Sequence, residues 1–200
     1  MNLIESYNRS LFLMINGDNS APRWLVDLAT LVGDGVIYLI PLLLIGLWLW
    51  GNTRQRKLAV KAFAVAMLGV GLNQLIGVMW QHPRPFMLGL GHTWIVHAAD
   101  SSFPSDHVTV LTAIGLSLLL DGATAVACLT LTMALAVAWA RVFLGVHFPL
   151  DMLGAVVVAG VSLGSVAPIW QRFGSQATGL AEQLYRRLLA WPISAGWVKS

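Results

Sequence analysis

Long apolar runs free of Asp, Glu, Lys and Arg organise this chain. Five stand out: 35–53 (GVIYLIPLLLIGLWLWGNT), 62–83 (AFAVAMLGVGLNQLIGVMWQHP), 107–120 (HVTVLTAIGLSLLL), 122–140 (GATAVACLTLTMALAVAWA) and 152–171 (MLGAVVVAGVSLGSVAPIWQ). A helix crosses the bilayer hydrocarbon with about 20 largely apolar residues. Four runs reach that length with few flanking residues. The third reaches about 17 when its helix starts near Pro104, the lower limit for a span. The pattern predicts an all-α integral membrane helix bundle of about five transmembrane helices.

Amphipathic stretches flank the spans. In 2–16, Leu3, Ile4, Tyr7, Leu11, Met14 and Ile15 form one stripe, with Glu5, Asn8 and Arg9 opposite. In 178–191, Leu180, Leu184 and Leu188 align, and Arg186 and Arg187 suit lipid headgroups. Each segment either lies in the membrane interface or packs on the bundle. The segment 2–16 lacks the basic start and long apolar core of a signal peptide. The chain reads as one membrane-embedded domain over 1–200, with a core at 25–171 and a cytoplasmic interfacial tail at 172–200.

Composition agrees with this pattern. AVILMFWYC residues make up 57% and charged residues 10% of the 200 residues, where soluble proteins carry about 25% charged. Mean hydropathy is +0.72. These values exclude a disordered chain and a nucleic-acid binder. The single cysteine, Cys128, excludes a disulfide scaffold. The net charge of +3 matters less than where the twelve basic residues sit. Arg54, Arg56, Lys57 and Lys61 lie between the first two spans, and Arg172, Arg186, Arg187 and Lys199 follow the last. An alternating five-span layout puts both clusters on one side, which the positive-inside rule makes cytoplasmic. The N-terminus and the loops 81–106 and 141–151 are then outside.

Those outer loops hold chemistry that a membrane helix bundle does not need for folding. They contain Arg84, Ser105, Asp106, His107, Arg141, His147 and Asp151, together with His97 and Asp100. Four segments distant in sequence thereby converge on one membrane level, and ionisable groups at that depth point to function. His147 and Asp151 are four residues apart and share a helix face. A carboxylate on one imidazole nitrogen fixes the tautomer and leaves the other nitrogen as a nucleophile. Arg84 and Arg141 offer planar forks that match phosphate oxygens. Ser105 opens a helix, where free N–H groups seat an anion. His107 can protonate a leaving oxygen. These are the parts of a phosphoryl-transfer site. His82 and His92 read as solvated loop residues.

The motifs R-P (84–85), P-S-x-H (104–107) and R-x5-H-x3-D (141–151) resemble the three-part signature of the type 2 phosphatidic acid phosphatase superfamily. WLWG (48–51), HPRPF (82–86), HAADSSFPSDH (97–107), ARVFLGVHFPLDMLG (140–154) and PISAGWVK (192–199) resemble its bacitracin-resistance-type undecaprenyl pyrophosphate phosphatases. The resemblance implies a phosphatase of the bacterial inner membrane that takes one phosphate from the C55 isoprenyl diphosphate at the outer leaflet. It implies that His147 attacks phosphorus, that His107 protonates the leaving group, and that Arg84, Ser105 and Arg141 bind substrate, with Asp106 and His97 beside them. No cofactor, metal or nucleic acid is expected; the partners are the polyprenyl diphosphate and membrane lipids. Three positions depart from the superfamily pattern: Gly77 stands for the first-motif Lys, Asp106 for Gly and Ala140 for Ser. Asp106 must therefore point away from the substrate or pair with Arg84. The rival readings are the same chemistry on phosphatidylglycerophosphate, phosphatidic acid or lipid A, and a non-catalytic transport or bacitracin-export subunit.

Overall fold

The computed structural model describes residues 3–199, and no strand occurs among them. The helices are α1 (Leu3–Ile15), α2 (Arg23–Leu49), α3 (Thr53–Met79), α4 (Asp106–Leu120), α5 (Thr124–Phe143), α6 (Pro149–Leu188) and α7 (Ala190–Ser194). Among the described residues, α2, α3, α5 and α6 are long and apolar enough to cross a membrane, and α4 is a shorter apolar helix. The chain is a multi-pass membrane protein.

The short helix is the centre of the bundle. Nine of the 15 residues of α4 are buried, among them Leu111, Ile114 and Leu118, and α3, α5 and α6 all pack against it. Its neighbours, not lipid, supply its apolar surroundings, so it need not match the bilayer thickness. Its C-terminal end is fixed by the turn at Asp121, where Lys61 of α3 donates to both carboxylate oxygens at 2.9 Å. Its N-terminal end, at Asp106, is packed among α3, α5 and α6.

Two spans are longer than the apolar runs that predicted them. The first, expected over 35–53, begins at Arg23. Val26 and Ala29 pack on Ala140, Phe143 and Leu144 of the C-terminal α5 end. This helix also carries a π-turn over Leu31–Gly35 and a 3-10 turn over Val36–Tyr38. The second is α6: the span expected over 152–171 and residues 178–188 of the amphipathic stretch are parts of one helix of 40 residues, with Pro168 inside it. At 1.5 Å per residue it runs roughly 60 Å, about twice the hydrocarbon thickness.

Helix α1 lies against the N-terminal end of α6. Its Phe12 is fully buried against Phe148, with ring centroids 5.3 Å apart, and Asn8 accepts a hydrogen bond from the Leu150 N–H at 3.1 Å. The apolar stripe of Leu3, Ile4, Tyr7, Leu11 and Met14 faces outward, as an interfacial helix requires. Asn16 then ties three segments together. Its amide donates to the carbonyls of His92 and Phe143 and accepts from the His92 N–H.

Candidate active site

Four segments build the site: the loop from Trp80 to Ser105, the first turn of α4, the α5 end with the turn to His147, and the first turn of α6. The α5–α6 turn needs Gly145, whose φ is +82° and whose missing Cβ would stand 2.2 Å from the His92 carbonyl oxygen. The loop is seated by Phe103, whose ring lies where a Cβ on Gly154 would be, 2.3 Å away. Glycine at these two places lets the loop and the α6 start approach each other closely.

His147 is the pivot. Its Nδ1 lies 3.2 Å from Asp151 Oδ2 and its Nε2 lies 3.0 Å from Arg84 Nη1. A guanidinium only donates, so Nε2 accepts and the ring proton sits on Nδ1, directed at the carboxylate. Burial, then the charges of Arg84 and Arg141, hold this imidazole well below the usual histidine range, so it is neutral. Asp151 Oδ2 also accepts from the Phe148 N–H at 2.7 Å and from the Ser102 hydroxyl. Ser102 is fully buried and its own N–H donates to the His82 carbonyl at 2.7 Å.

Arg84 and Arg141 are both buried. Arg84 donates from Nε to Asp100 Oδ1 at 2.8 Å, from Nη1 to the Val146 carbonyl at 2.9 Å and from Nη2 to the Ser101 carbonyl at 3.2 Å. Burial works to raise the Asp100 carboxyl, and the Arg84 contact outweighs it and holds it below the usual range. Arg141 pairs through Nη1 with Asp34 Oδ1. Its Nη2 faces His97 Nε2 and His107 Nδ1, each at 3.3 Å. Both of those nitrogens therefore accept. The His107 proton is on Nε2, and the His97 proton is on Nδ1, 3.1 Å from the Ala98 carbonyl. Burial leads in holding His97 below the usual histidine range.

A cavity of about 560 Å3 opens beside these groups. Arg84, His97, Asp106, His107, Arg141 and His147 line it. Asp151 and Ser105 do not; both are fully buried behind the lining. The Ser105 hydroxyl has no hydrogen-bond partner among the described residues, and its N–H donates to the Asp151 carbonyl at 3.4 Å. Asp106 does not pair with Arg84. Its two oxygens accept from Asn73 Nδ2 at 2.8 Å and Gln74 Nε2 at 3.1 Å, on the α3 side of the cavity. Gly77, at the position of the expected lysine, also lines the cavity.

Sequence reasoning missed Asp34, Ser102 and Asn73. It also took His82 as solvated. That side chain is 14% exposed and lies between Trp80 and Phe148, with centroids 5.2 and 5.7 Å away. His92 is half-buried against Trp94.

A neutral imidazole held by a carboxylate, beside two buried guanidiniums at one end of a membrane helix bundle, makes a histidine-centred candidate site in a multi-pass protein. The chain belongs to the PAP2 superfamily, which matches residues 58–175. It is 37% identical to YbjG of Escherichia coli (strain K12) over 98% of this chain and 100% of the relative. It is 34% identical to the undecaprenyl-diphosphatase BcrC of Bacillus subtilis (strain 168), over 76% of this chain and 78% of that protein. The crystal structure of Aquifex aeolicus LpxE superposes with a TM-score of 0.61 at 26% identity, covering 78% of this chain and 93% of that one.

Proposed function

We propose that this protein hydrolyses undecaprenyl diphosphate to undecaprenyl phosphate and inorganic phosphate at the outer face of the bacterial inner membrane, recycling the cell-wall lipid carrier. The observation that carries the reading is the state of His147: neutral, its Nδ1–H on Asp151, its Nε2 lone pair held only by Arg84 Nη1 in the wall of a cavity that Arg141 also lines. The similarity to BcrC supports the lipid substrate.

The steps follow from that geometry. Arg84 Nη1 turns from His147 Nε2 to a phosphate oxygen, which frees the lone pair. Nε2 attacks the terminal phosphorus in line. The bond from phosphorus to the bridging oxygen breaks, and His107, protonated at Nδ1 once Arg141 Nη2 has turned from it to a phosphate oxygen, gives its Nε2 proton to the bridging oxygen as the monophosphate leaves. Asp151, with Ser102 behind it, stabilises the positive imidazole of the phosphohistidine. Arg84, Arg141 and the first-turn N–H groups of α4 hold the equatorial oxygens. His107 then takes a proton from the water that cleaves the N–P bond.

The histidines and the paired Arg84 and Arg141 gather at one end of the bundle instead of lining a path through it, which favours an enzyme over a transport subunit. The test is phosphate release by the purified protein from undecaprenyl diphosphate, phosphatidylglycerophosphate and phosphatidic acid. The C55 diphosphate should be turned over fastest, and a faster rate on either glycerolipid would overturn the substrate assignment. Sidedness is tested in a Cys128→Ala background. A cysteine at the exposed Val96 should react with an impermeant thiol reagent from outside, and one at the exposed Gln176 should not. The reverse labelling would invert the orientation.

A further inference from the structure

Each guanidinium of the site carries a carboxylate that does not share its burial. The Arg84 side chain is 6% exposed and its partner Asp100 is 62% exposed. The Arg141 side chain is 2% exposed and its partner Asp34 is 46% exposed. Neither carboxylate belongs to the His147–Asp151 pair, and the chemical steps above give neither a task. Asp34 lies outside the residues that match the superfamily. It is delivered by the π-turn of α2, an irregularity often found at functional positions. The turn approaches Arg141 closely because Gly33 has no side chain: a Cβ there would sit 3.1 Å from Leu144 and 3.6 Å from Arg141 Cδ.

We propose that Asp34 and Asp100 are exchangeable counter-ions that set how tightly the site holds phosphate. This rests on Arg84 and Arg141 being the phosphate clamps. A buried guanidinium without a partner is costly, and a carboxylate oxygen meets it with the geometry of a phosphate oxygen. Because both carboxylates are largely hydrated, each can turn to water with little loss when a diphosphate arrives. Each returns as phosphate leaves. Two bare buried guanidiniums would instead bind inorganic phosphate and the lipid monophosphate strongly. Tight binding of ground state and product does not speed the chemical step and slows release. The two aspartates are thus specificity-determining residues for the charge of the bound species, and they leave the bond-breaking groups alone.

The experiment measures inhibition by inorganic phosphate, with turnover read as undecaprenyl phosphate formed, separated by chromatography. Wild type is compared with Asp34→Asn and Asp100→Asn, each shown to be folded by its thermal melt. Each substitution keeps the side-chain shape and removes one partly screened charge. The inhibition constant should fall about five- to tenfold in each, with kcat reduced as release slows. An unchanged or raised constant in both folded variants would overturn the proposal and make the carboxylates simple positioning groups. Arg84→Ala and Arg141→Ala separate the two levels of inference. Both should raise the constant; if neither does, the clamps themselves are misassigned and the proposal falls with them. Asp100 lies in a loop and Asp34 in a helix, so a folding defect in one leaves the other to decide.

Discussion

Buried arginines occur at both ends of this bundle, and their partners differ in kind. At the end away from the candidate site, Arg56 is 2% exposed. It donates to the carbonyls of Trp48 at 3.0 Å and Lys199 at 2.7 Å, faces Glu182 at 3.6 Å, and lies over the rings of Trp48 and Tyr185. Tyr185 donates to the same Lys199 carbonyl at 2.7 Å, and Trp50 donates to that of Trp197. The segments WLWG and PISAGWVK, far apart in the chain, meet here. Every partner of Arg56 is backbone, ring or half-buried carboxylate, and none is free to leave. At the site end, Arg84 and Arg141 border an open cavity and hold carboxylates exposed to water. A buried charge with fixed partners closes a fold, whereas one with replaceable partners makes a binding site. The difference is one of exchange, not of burial.

That contrast can be broken from either end. The largest effect is expected from His147→Ala, which should lower kcat on the order of 10^4-fold or more. The protein should still insert and melt as wild type; phosphate release by the purified protein checks the first half and its thermal melt the second. Next comes Arg56→Ala. Removing one partner of a buried pair costs about 3–5 kcal/mol, so thermal melting and yield should fall sharply. The folded remainder should keep kcat/KM within about twofold. A clean kcat loss at full stability would erase the distinction between the ends.

Ser102→Ala removes a hydrogen bond to a charged group and should reduce kcat about tenfold to a hundredfold. KM should stay within about twofold, and phosphohistidine formation in a single turnover should slow equally. A change in melting temperature alone would make Ser102 structural.

The pH profile is a finer probe. His147 must be neutral to attack, and its folded value is lowered. Activity should therefore persist below the free histidine value of about 6.5 and fall only as pH drops through the lowered value. An acid limb above 6.5 in kcat/KM would contradict the buried, arginine-flanked imidazole. An alkaline limb should complete a bell belonging to the coupled site. The smallest effect is expected from excess EDTA, which should change turnover less than about twofold because the arginines supply the fixed positive charge. Loss restored by one equivalent of metal would show that the histidines are ligands.

How much of this was legible in the sequence follows from what each residue touches locally. The five spans and the convergence of Arg84, His107, Arg141 and His147 on one end came from apolar run length, basic-residue placement and motif spacing. Asp34 was hidden by the same logic: a run defined by the absence of charge begins at 35, one residue past it. Its partner sits 107 positions away, and no local spacing encodes that. Ser102 and Asn73 are ordinary polar residues whose roles come only from Asp151 and Asp106 reaching them across the fold. The continuity of α6 through Pro168 depends on contacts to α3, such as Lys57 to Ser175 at 3.0 Å. Tertiary packing overrides the local break there.

The shortness of α4 has a kinetic consequence. Its 15 residues rise roughly 22 Å, less than the hydrocarbon thickness of about 30 Å. With its C-terminal end held at Asp121, a helix shorter than the hydrocarbon leaves the floor of the cavity below the membrane surface instead of above it. A substrate anchored in the leaflet can reach His147 by sideways diffusion alone, without being lifted into water. Its effective concentration is then a density in two dimensions. Diluting undecaprenyl diphosphate with inert lipid at constant bulk amount should slow the reaction, and diluting the vesicles in buffer should not.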